Sequence, residues 1–529
     1  MTAALPKFTG LIDVNGNPLR ADRKPASRLA QTPRSTYDGA DTNAGNRRHW
    51  ANADGLSAKE ANSPTVRKKL RERARLEFDN GGNCKGAIET IGHDLVGTGP
   101  RLQLILPEGS PEDAASVIER KFRDWCDDPV VNFADKLRIM VESELRDGES
   151  FALFIENPAV EGPVKLDFRV IETEQVATSG FNPLATNAVD GIEFDANGNP
   201  ARYHVLKEHP GDSVFNPAGG HTVVPASQVI HWFRASRAGQ ARGIPRITPG
   251  LPLIAQIRGY ASATLAAARL AAQYAGFIST NLTPDSGPVA VAQYDEVPVE
   301  DGMALTLPAG WEFTQVKPEH PGSTNKEFTE SRLTEFGRSI HCPKNIVTGD
   351  SSNMNFSSSR LDRLMYQGAM RIDRNRLSVR VTDRVFKKWA EWAILTPGYL
   401  PVEIVLALPP IETWTWAWQF DGFPSINPAD DSQANATNLE NGLVTHGELL
   451  NERGVSWRDH FKSLAEQRAY ARELGIEDLL YPWLAKAVAT PVAPQPPRTN
   501  EGTRGQPQQR GAEYQAEIDT VLEEEVALA

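Results

Sequence analysis

The side chains that could carry chemistry begin with a cluster of cations between residues 360 and 388. Nine lysines and arginines in this stretch accompany only three aspartates, a local charge of +6 in a chain of net charge −12. Such a cluster is typical of a surface that contacts nucleic-acid phosphates without reading sequence. The alternative is that these cations pair with acidic groups on neighbouring helices or subunits. The cations are Arg360, Arg363, Arg371, Arg374, Arg376, Arg380, Arg384, Lys387 and Lys388.

A serine nucleophile is the second candidate. Gly349-Asp350-Ser351 resembles a serine-protease motif in outline, but Ser352 and Asn353 follow where glycines are expected. His341 is near in sequence, yet a catalytic triad is defined by geometry and not by proximity along the chain. The stretch 347–359 is rich in Gly, Ser and Asn, which favours a polar loop. A hydrolase that uses Ser351 stays an alternative hypothesis.

Nucleotide and metal motifs are missing from the sequence. The glycines of VGTGPR (96–101) suit a helix end and turn, and no GxxxxGK[S/T] phosphate loop occurs. The histidines form neither HxxxH nor HExxH, and Cys84, Cys126 and Cys342 have no CxxC spacing. We therefore predict no catalytic residue, no cofactor and no metal site. Three unpaired cysteines favour a reducing compartment.

Composition sets the class of protein. The chain has 529 residues, of which 40% are apolar and 23% charged, as in ordinary globular proteins. The sequence has no run of about 18 apolar residues, so no membrane span is expected. The first residues do not resemble a secretory signal. A net acidic chain is also unlike a sequence-tolerant nucleic-acid coat, which would be basic overall.

Apolar periodicity predicts a mainly helical α+β chain with mixed helices and strands in its first half. Ser63-Pro64 predicts the start of a helix that ends near Asn80, and Ser110-Pro111 predicts the start of another. FALFIEN (151–157) reads as a strand, and a hairpin is predicted around Asn197-Gly198. Further periodic stripes predict two helices, with core faces at Ala87, Ile88, Ile91 and Leu95, and at Leu137, Met140, Val141, Glu144 and Leu145.

The second half predicts long helices. An Ala-rich helix is expected over 251–276 and another over 326–341, and a helical pattern runs from Ser357 to Leu395, where Gly368 could kink it. Residues 402–424 contain strand-like stretches in which alternate tryptophans share one strand face, and Thr445 and Ser456 predict two further helix starts. The tryptophans are Trp414, Trp416 and Trp418.

Five segments, in order, resemble the lambda-type family of tailed-phage portal proteins. They are RERARLEFDNGGNCKGAIETIGHDLVGTGPRLQL (71–104), LRDGESF (145–151), IHWFRASRAGQARGIPRITP (230–249), TGDSSNMNFSSSRLDRL (348–364) and WAWQFDGFPSINPADDSQANATNLENGLVTHGELLNERG (416–454). Asn427 departs from the pattern, because the family usually has Asp before the proline. That departure leaves the fold expectation intact and makes a role for the carboxylate doubtful.

The resemblance implies a ring of usually twelve subunits at one capsid vertex, with double-stranded DNA passing through its channel independently of sequence. It implies contacts with the terminase large subunit, which hydrolyses ATP, with major capsid and scaffold proteins, and with a head-tail adaptor. The implied location is the virion, after assembly in the host cytoplasm. The implied regions are a wing at 63–250 with return strands at 396–424, stem helices at 251–275 and 326–342, a clip at 276–325, a tunnel loop with long kinked helix at 343–395 (the loop itself at 347–357), and a helical crown at 425–485.

Residue roles follow from the same resemblance. The tunnel loop and the start of the next helix are expected to face DNA, the stem helices to pack subunit on subunit, and the clip to face terminase and later the head-completion proteins. The DNA-channel residues are Asp350, Asn353, Asn355, Ser357, Arg360 and Arg363; the stem residues are Leu253, Ile257, Ala261, Leu265, Leu333, Phe336 and Ile340; the clip residues are Gln293, Tyr294, Glu296 and Trp311.

Two terminal segments and one competing class complete the expectations. Residues 1–62 read as a flexible basic arm, and 486–529 as a disordered Pro/Gln-rich and acidic tail. The acids of 513–529 could dock a basic partner such as scaffold or capsid protein, or only keep the chain soluble. A capsid-associated ring or adaptor scaffold without a DNA channel is the alternative function.

Overall fold

The structure is a computed structural model that describes residues 48–178, 188–213, 220–273, 276–280, 311–315, 324–352, 354–423 and 427–477. Within the predicted arm, residues 48–57 are exposed and a short helix α1 (Ala58–Ala61) follows. Regular structure therefore begins just before the predicted Ser63-Pro64. The predicted tail 486–529 lies outside the described residues.

Four helices build the first part of the core. They are α2 (Pro64–Asn80), α3 (Gly82–Val96), α4 (Ala114–Cys126) and α5 (Phe133–Asp147). The predicted start of α2 is confirmed, and the predicted apolar stripes of α3 and α5 are buried. The predicted start at Ser110 is wrong, because α4 begins at Ala114 and the Ser110 hydroxyl instead donates to the Pro107 carbonyl at 2.8 Å. That hydrogen bond closes a turn in place of capping the helix.

Antiparallel sheets pack beside these helices. Strand β2 (Glu149–Glu156) lies between β3 (Leu166–Ile171) and β8 (Val229–Phe233), and β4 (Ala188–Val189), β5 (Ile192–Phe194), β6 (Pro200–Leu206) and β7 (His221–Pro225) form a second sheet in sequence order. The predicted hairpin is confirmed, with Gly198 at φ 81° in its turn between β5 and β6. A small apolar core joins the two sheets, including Phe151, Ile192 and Tyr203.

The middle of the chain is helical, as predicted. Helix α6 (Leu251–Gln273) packs against α7 (Thr324–Ser339), and short strands β9 (Gly276–Thr280) and β10 (Trp311–Gln315) pair antiparallel between them. Helix α8 (Lys344–Thr348) and a loop then lead to α9 (Phe356–Leu377). Among the described residues, no helix combines the length and the hydropathy needed to cross a bilayer.

The long helix is confirmed, but its irregularity is not at Gly368. Helix α9 passes through Gly368 unbroken, and a π-helical turn at Ser378–Thr382 joins it to α10 (Asp383–Leu395). The hydroxyls of Ser378 and Thr382 both donate to carbonyls four residues earlier. Such back-bonding bends helices.

The return to the core contains one helix where strands were predicted. Val402–Ala407 forms helix α11, and Pro401 is its N-cap. Proline is tolerated at the start of a helix, where its missing amide hydrogen leaves no bond unmade. The strand prediction is therefore wrong for these residues. Strand β11 (Thr415–Gln419) pairs with β1 (Arg101–Ile105). The prediction that its tryptophans share a face is confirmed, since all three rings pack on Phe386 and two indoles donate to Asp383.

The predicted helix starts near the carboxyl end are confirmed. Helix α12 (Pro428–Glu440) precedes α13 (His446–Glu452), where Thr445 and Glu448 form a reciprocal capping box. The described residues 455–477 belong to a separate compact unit, in which Ser456 is the N-cap of α14 (Trp457–Glu473) and its hydroxyl accepts from the Asp459 amide. The mixed helices and sheets confirm the predicted mainly helical α+β class.

A fully buried ion pair joins the segments of the first half. The Arg242 guanidinium donates to both carboxylate oxygens of Glu149 at 2.9 Å, to the Val176 carbonyl at 3.0 Å and to the Thr173 carbonyl at 3.3 Å. His231 Nε2 lies 3.0 Å from the same carboxylate. Burial alone would raise the pKa of Glu149, but the charge of Arg242 and these hydrogen bonds outweigh it and hold that pKa well below its usual range.

Two glycines permit this approach. Gly148 has φ 93°, and a Cβ there would collide with the backbone of Ile244, while a Cβ on Gly243 would collide with the Gly148 carbonyl. The end of α5 and the 242–245 segment can therefore touch backbone to backbone, which places the guanidinium over Glu149.

Removal of this guanidinium should be severe. We predict that Arg242→Met lowers the free energy of unfolding by about 3–5 kcal/mol, because Glu149 is left buried without its partner. Chemical denaturation measures the change, and adding Glu149→Gln should recover part of the loss. Arg202→Met is the control, since Arg202 is exposed and its pair with the half-buried Glu193 should contribute only about 1 kcal/mol or less. Equal effects of the two single variants would contradict the prediction.

Candidate functional site

The loop before α9 is held at its start by a tight helix end. The Cys342 amide donates to the Gly337 carbonyl at 2.8 Å, and a Cβ on Gly337 would meet that segment at 2.6 Å. His341 takes a left-handed conformation with φ 60°, and Pro343 then opens α8. Gly349, with φ 67°, is the C-cap of α8, and its amide donates to the Asn345 carbonyl. Backbone contacts therefore fix residues 337–349, from which the loop begins.

Two predicted channel residues shape the backbone of this loop. Asp350 Oδ1 accepts from the Ser352 amide at 2.8 Å, and hydrogen bonds from the Ser352 hydroxyl and amide lower the pKa of the exposed Asp350 carboxyl. Asn355 is the N-cap of α9, since its Oδ1 accepts from the Ser358 amide at 2.8 Å. Ser357 is exposed, and Asn353 lies outside the described residues. The polar residues therefore fix where the long helix starts.

The hydrolase hypothesis gains no support from this geometry. Ser351 is exposed, and no hydrogen bond joins it to a histidine in the described part of the chain. Burial, followed by the charges of Arg246 and Arg234, lowers the pKa of His341. A serine nucleophile needs a base within hydrogen-bond reach.

The basic helix divides into structural and exposed cations. Arg374 donates to the carbonyls of Asp94 at 2.7 Å and Leu95 at 3.3 Å, and lies over the rings of Phe420 and Phe423 at 5.1 and 4.7 Å. Arg374 is therefore held inside its own chain by carbonyls and aromatic rings, and not by the acidic groups that the alternative from sequence named. Intramolecular partners also exist for Arg376, Arg384, Lys387 and Lys388.

Other cations of α9 are more exposed, including the first one after the loop. Arg360 is half exposed and reaches Asp431 at 3.5 Å, and Arg371 is 3.8 Å from Glu452. Exposed pairs of this length contribute little to stability. Arg363 is half-buried one turn after Arg360. The end of α9 nearest the loop thus keeps positive charge at the surface.

The predicted stem residues also divide into buried and exposed ones. Leu333, Phe336 and Ile340 are buried in the chain's own core, so they are not available to a neighbouring subunit. Ala261 and Leu265 on α6 are exposed. Leu253 and Ile257 pack on the core while half-buried. Of the clip residues, Trp311 opens β10, and Gln293, Tyr294 and Glu296 lie outside the described residues.

A cluster of Glu172, Glu174 and His209 escaped the sequence analysis, because His209 is distant in sequence from the two glutamates. Their possible ligand atoms all lie within 4.8 Å of one another. However, Glu174 already accepts from Arg71 and Arg75 at 3.0 Å each. Two guanidinium groups therefore occupy the carboxylate that a metal ion would need.

A second ionic cluster links α9 to α5 through Arg246. Arg246 Nη1 donates to Asp373 of α9 at 2.9 Å and lies 4.0 Å from Glu144 of α5. Burial raises the pKa of Glu144 to about 7, and the charge of Arg246 only partly offsets this effect. The sequence placed Glu144 on a core face but gave no sign of its partners.

The chain was compared with known proteins. Residues 44–374 match the family model described as phage portal protein, lambda family. No curated protein matches the chain. Two similar solved structures are the neck of an empty gene transfer agent particle computed with C6 symmetry (13% identity, TM-score 0.46, 72% of this chain and 92% of that chain) and the neck of a native particle with C12 symmetry (13%, 0.44, 74% and 94%). An HK97-family phage portal protein from Corynebacterium diphtheriae aligns at 10% identity with a TM-score of 0.25 (54% and 82%).

The family match covers the loop, the first turns of the basic helix and the buried ionic network, and spans more than half of the chain. The class is thus that of phage portal proteins. The chain belongs to the lambda family of phage portal proteins.

The buried carboxyl of α5 predicts an unusual pH dependence. The folded-state pKa of Glu144, about 7, lies above its unfolded value, so its stabilising contribution is complete below about pH 4 and is lost as pH rises through 7. Glu144→Gln should remove this loss, a gain of roughly 3 kcal/mol at pH 8 relative to pH 5. Thermal unfolding of both proteins from pH 5 to 8 measures the effect. Parallel pH profiles would contradict it.

The division of the basic helix predicts different effects for two arginines. Arg374→Ala should lower the free energy of unfolding by about 2 kcal/mol, since it leaves two carbonyls and two aromatic faces without a partner. Arg380→Ala, at an exposed position, should stay within about 0.5 kcal/mol. Denaturant titration of the two variants tests this, and equal losses would refute the assignment.

Proposed function

We propose that this portal-family chain forms a closed ring at one capsid vertex and that genomic DNA is packaged and ejected through its central channel. The observation that carries the proposal is the family match, which includes the loop at 347–357 and the start of α9. The C6 and C12 symmetries of the gene transfer agent necks are those of other proteins and are consistent with a ring of twelve.

The charge distribution supports a channel role. A channel that must pass DNA cannot grip phosphates along its whole length, and a net charge of −12 keeps most of the surface from attracting DNA. Arg360 and Arg363 sit within two turns of the loop, where positive charge would guide or retain DNA. Asp350 and Asn355 act indirectly, because they set the path of the loop that presents these cations.

The regions take the roles that the family resemblance implies. We assign 63–250 and 396–424 to the wing, 251–275 and 326–342 to the stem, 276–325 to the clip, 343–395 to the tunnel loop and long helix, and 425–485 to the crown. In this assignment the clip meets the terminase large subunit during packaging and a head-tail adaptor afterwards. Capsid and scaffold proteins surround the wing, the ring lies in the virion, and the chain itself needs no catalytic activity.

Charge reversal near the loop tests the DNA role. Arg360→Glu with Arg363→Glu should reduce DNA-filled capsids by about tenfold, because two phosphate-attracting groups become repulsive, while rings still assemble. Quantification of packaged DNA in particles carrying the variant measures this. Lys68→Glu with Lys85→Glu makes the same charge change on exposed positions of α2 and α3 and should package normally. Normal packaging by the arginine variant would favour the scaffold alternative.

A further inference from the structure

An exposed apolar strip runs along α9 on the side away from the core. The helix buries Tyr366, Met370, Asp373 and Leu377 against its own chain. Apolar side chains recur at spacings of three, four and seven residues on the opposite side, which keeps them on one face of a helix. We call them the α9 strip: Leu361, Leu364, Met365, Ile372 and, in the following π-helical turn, Val379, each 57–60% exposed.

Exposure of this kind indicates a binding surface. Single exposed apolar residues are ordinary, but monomeric proteins rarely expose contiguous apolar patches above roughly a few hundred Å². Along α9 the strip continues for more than four turns without a covering element among the described residues.

Gly368 gives a second, independent indication. It lies in the middle of the strip, and a Cβ built there meets nothing within 4 Å, so no contact inside the described chain requires glycine. Glycine in a helix interior is unfavourable relative to alanine. A flat position of this kind lets another backbone or a large side chain approach the helix closely.

Charge selects the kind of partner. The strip is flanked by arginines that keep 44–70% of their side chains exposed, namely Arg360, Arg371 and Arg376. Residues 356–382 contain six arginines and two aspartates, a charge of +4, which leaves −16 for the rest of a chain of net charge −12. The strip is therefore attracted to the remaining surface of an identical molecule and repelled by an identical strip.

We propose that the α9 strip packs against a different, acidic surface of a second copy of this chain. Contact between two unlike surfaces is head to tail, and repeated contacts of this type close into a ring when the rotation allows. A twofold contact of strip on strip is disfavoured, because it would bring the flanking arginines together. This inference rests on the proposed ring and identifies one side of its subunit contact.

Acidic substitutions within the strip test the contact. Met365→Glu with Ile372→Glu should convert rings to monomers, measured by native mass spectrometry and negative-stain imaging of the full chain, with circular dichroism to verify folding. Leu76→Glu is the matched control, because it changes a half-exposed apolar residue on α2 outside the strip, and should assemble normally. Assembly of the strip variant, or equal failure of the control, would overturn the proposal.

A substitution of the glycine separates folding from assembly. Gly368→Trp adds a ring into space that is empty in the single chain, so the subunit should fold and melt as the unmodified chain does but fail to close rings. Rings of normal size from Gly368→Trp would contradict close packing at this position.

Mixing and cross-linking test the head-to-tail geometry. A strip-defective copy can still present its other surface, so it should end growing assemblies and shorten them in proportion to its share. A photo-reactive residue at Ile372 should cross-link to a segment outside α9, whereas cross-links between two α9 helices would overturn the proposal. Unmodified chains that never form rings would instead refute the proposed function, and with it this inference. Rings from both unmodified and strip-variant chains refute the inference alone.

Discussion

The buried pair of Glu149 and Arg242 is the constraint on which the first half of the fold depends. Two buried charges are tolerated only when each is hydrogen-bonded, and here the guanidinium also donates to the Thr173 and Val176 carbonyls of one further segment. Arg67 of α2 reaches the same site through Asp190. The pair thereby sets the position of the helical layer on the sheets, and through α5 it sets the base on which the long helix lies.

Different sides of the long helix α9 meet three different environments: the core, a buried arginine and the surface. Its core face packs Tyr366, Met370 and Leu377, its aspartate at 373 pairs with Arg246, and its exposed face carries apolar residues between arginines. Seen as a sequence, the stretch offers only a count of cations. Burial and partners divide that count into arginines that hold the fold, such as Arg374, and arginines at the surface, such as Arg360.

Local signals predicted most elements well. Helix starts with a short-range signal, such as Pro64 after Ser63 or the capping box of Thr445 and Glu448, are determined within one turn and were found as predicted. The failures have identifiable causes. The irregularity of the long helix is a π-helical turn at 378–382, where two hydroxyls bond back to carbonyls, whereas Gly368 lies in a regular stretch of α9. Val402–Ala407 has strand-like composition, but its position between prolines permits one short helix. The partners of Glu144 and Glu149 come from residues about 90 or more positions away, which no local pattern reveals.

The most direct measurement is electron cryomicroscopy of the purified full-length chain. The account predicts closed rings of about a dozen subunits with a central hole, in which residues 347–357 and the first turns of α9 line the hole. A closed ring with that loop on its outer rim would contradict the channel assignment. A chain that stays monomeric at all concentrations, alone and with its capsid protein, would contradict the ring itself.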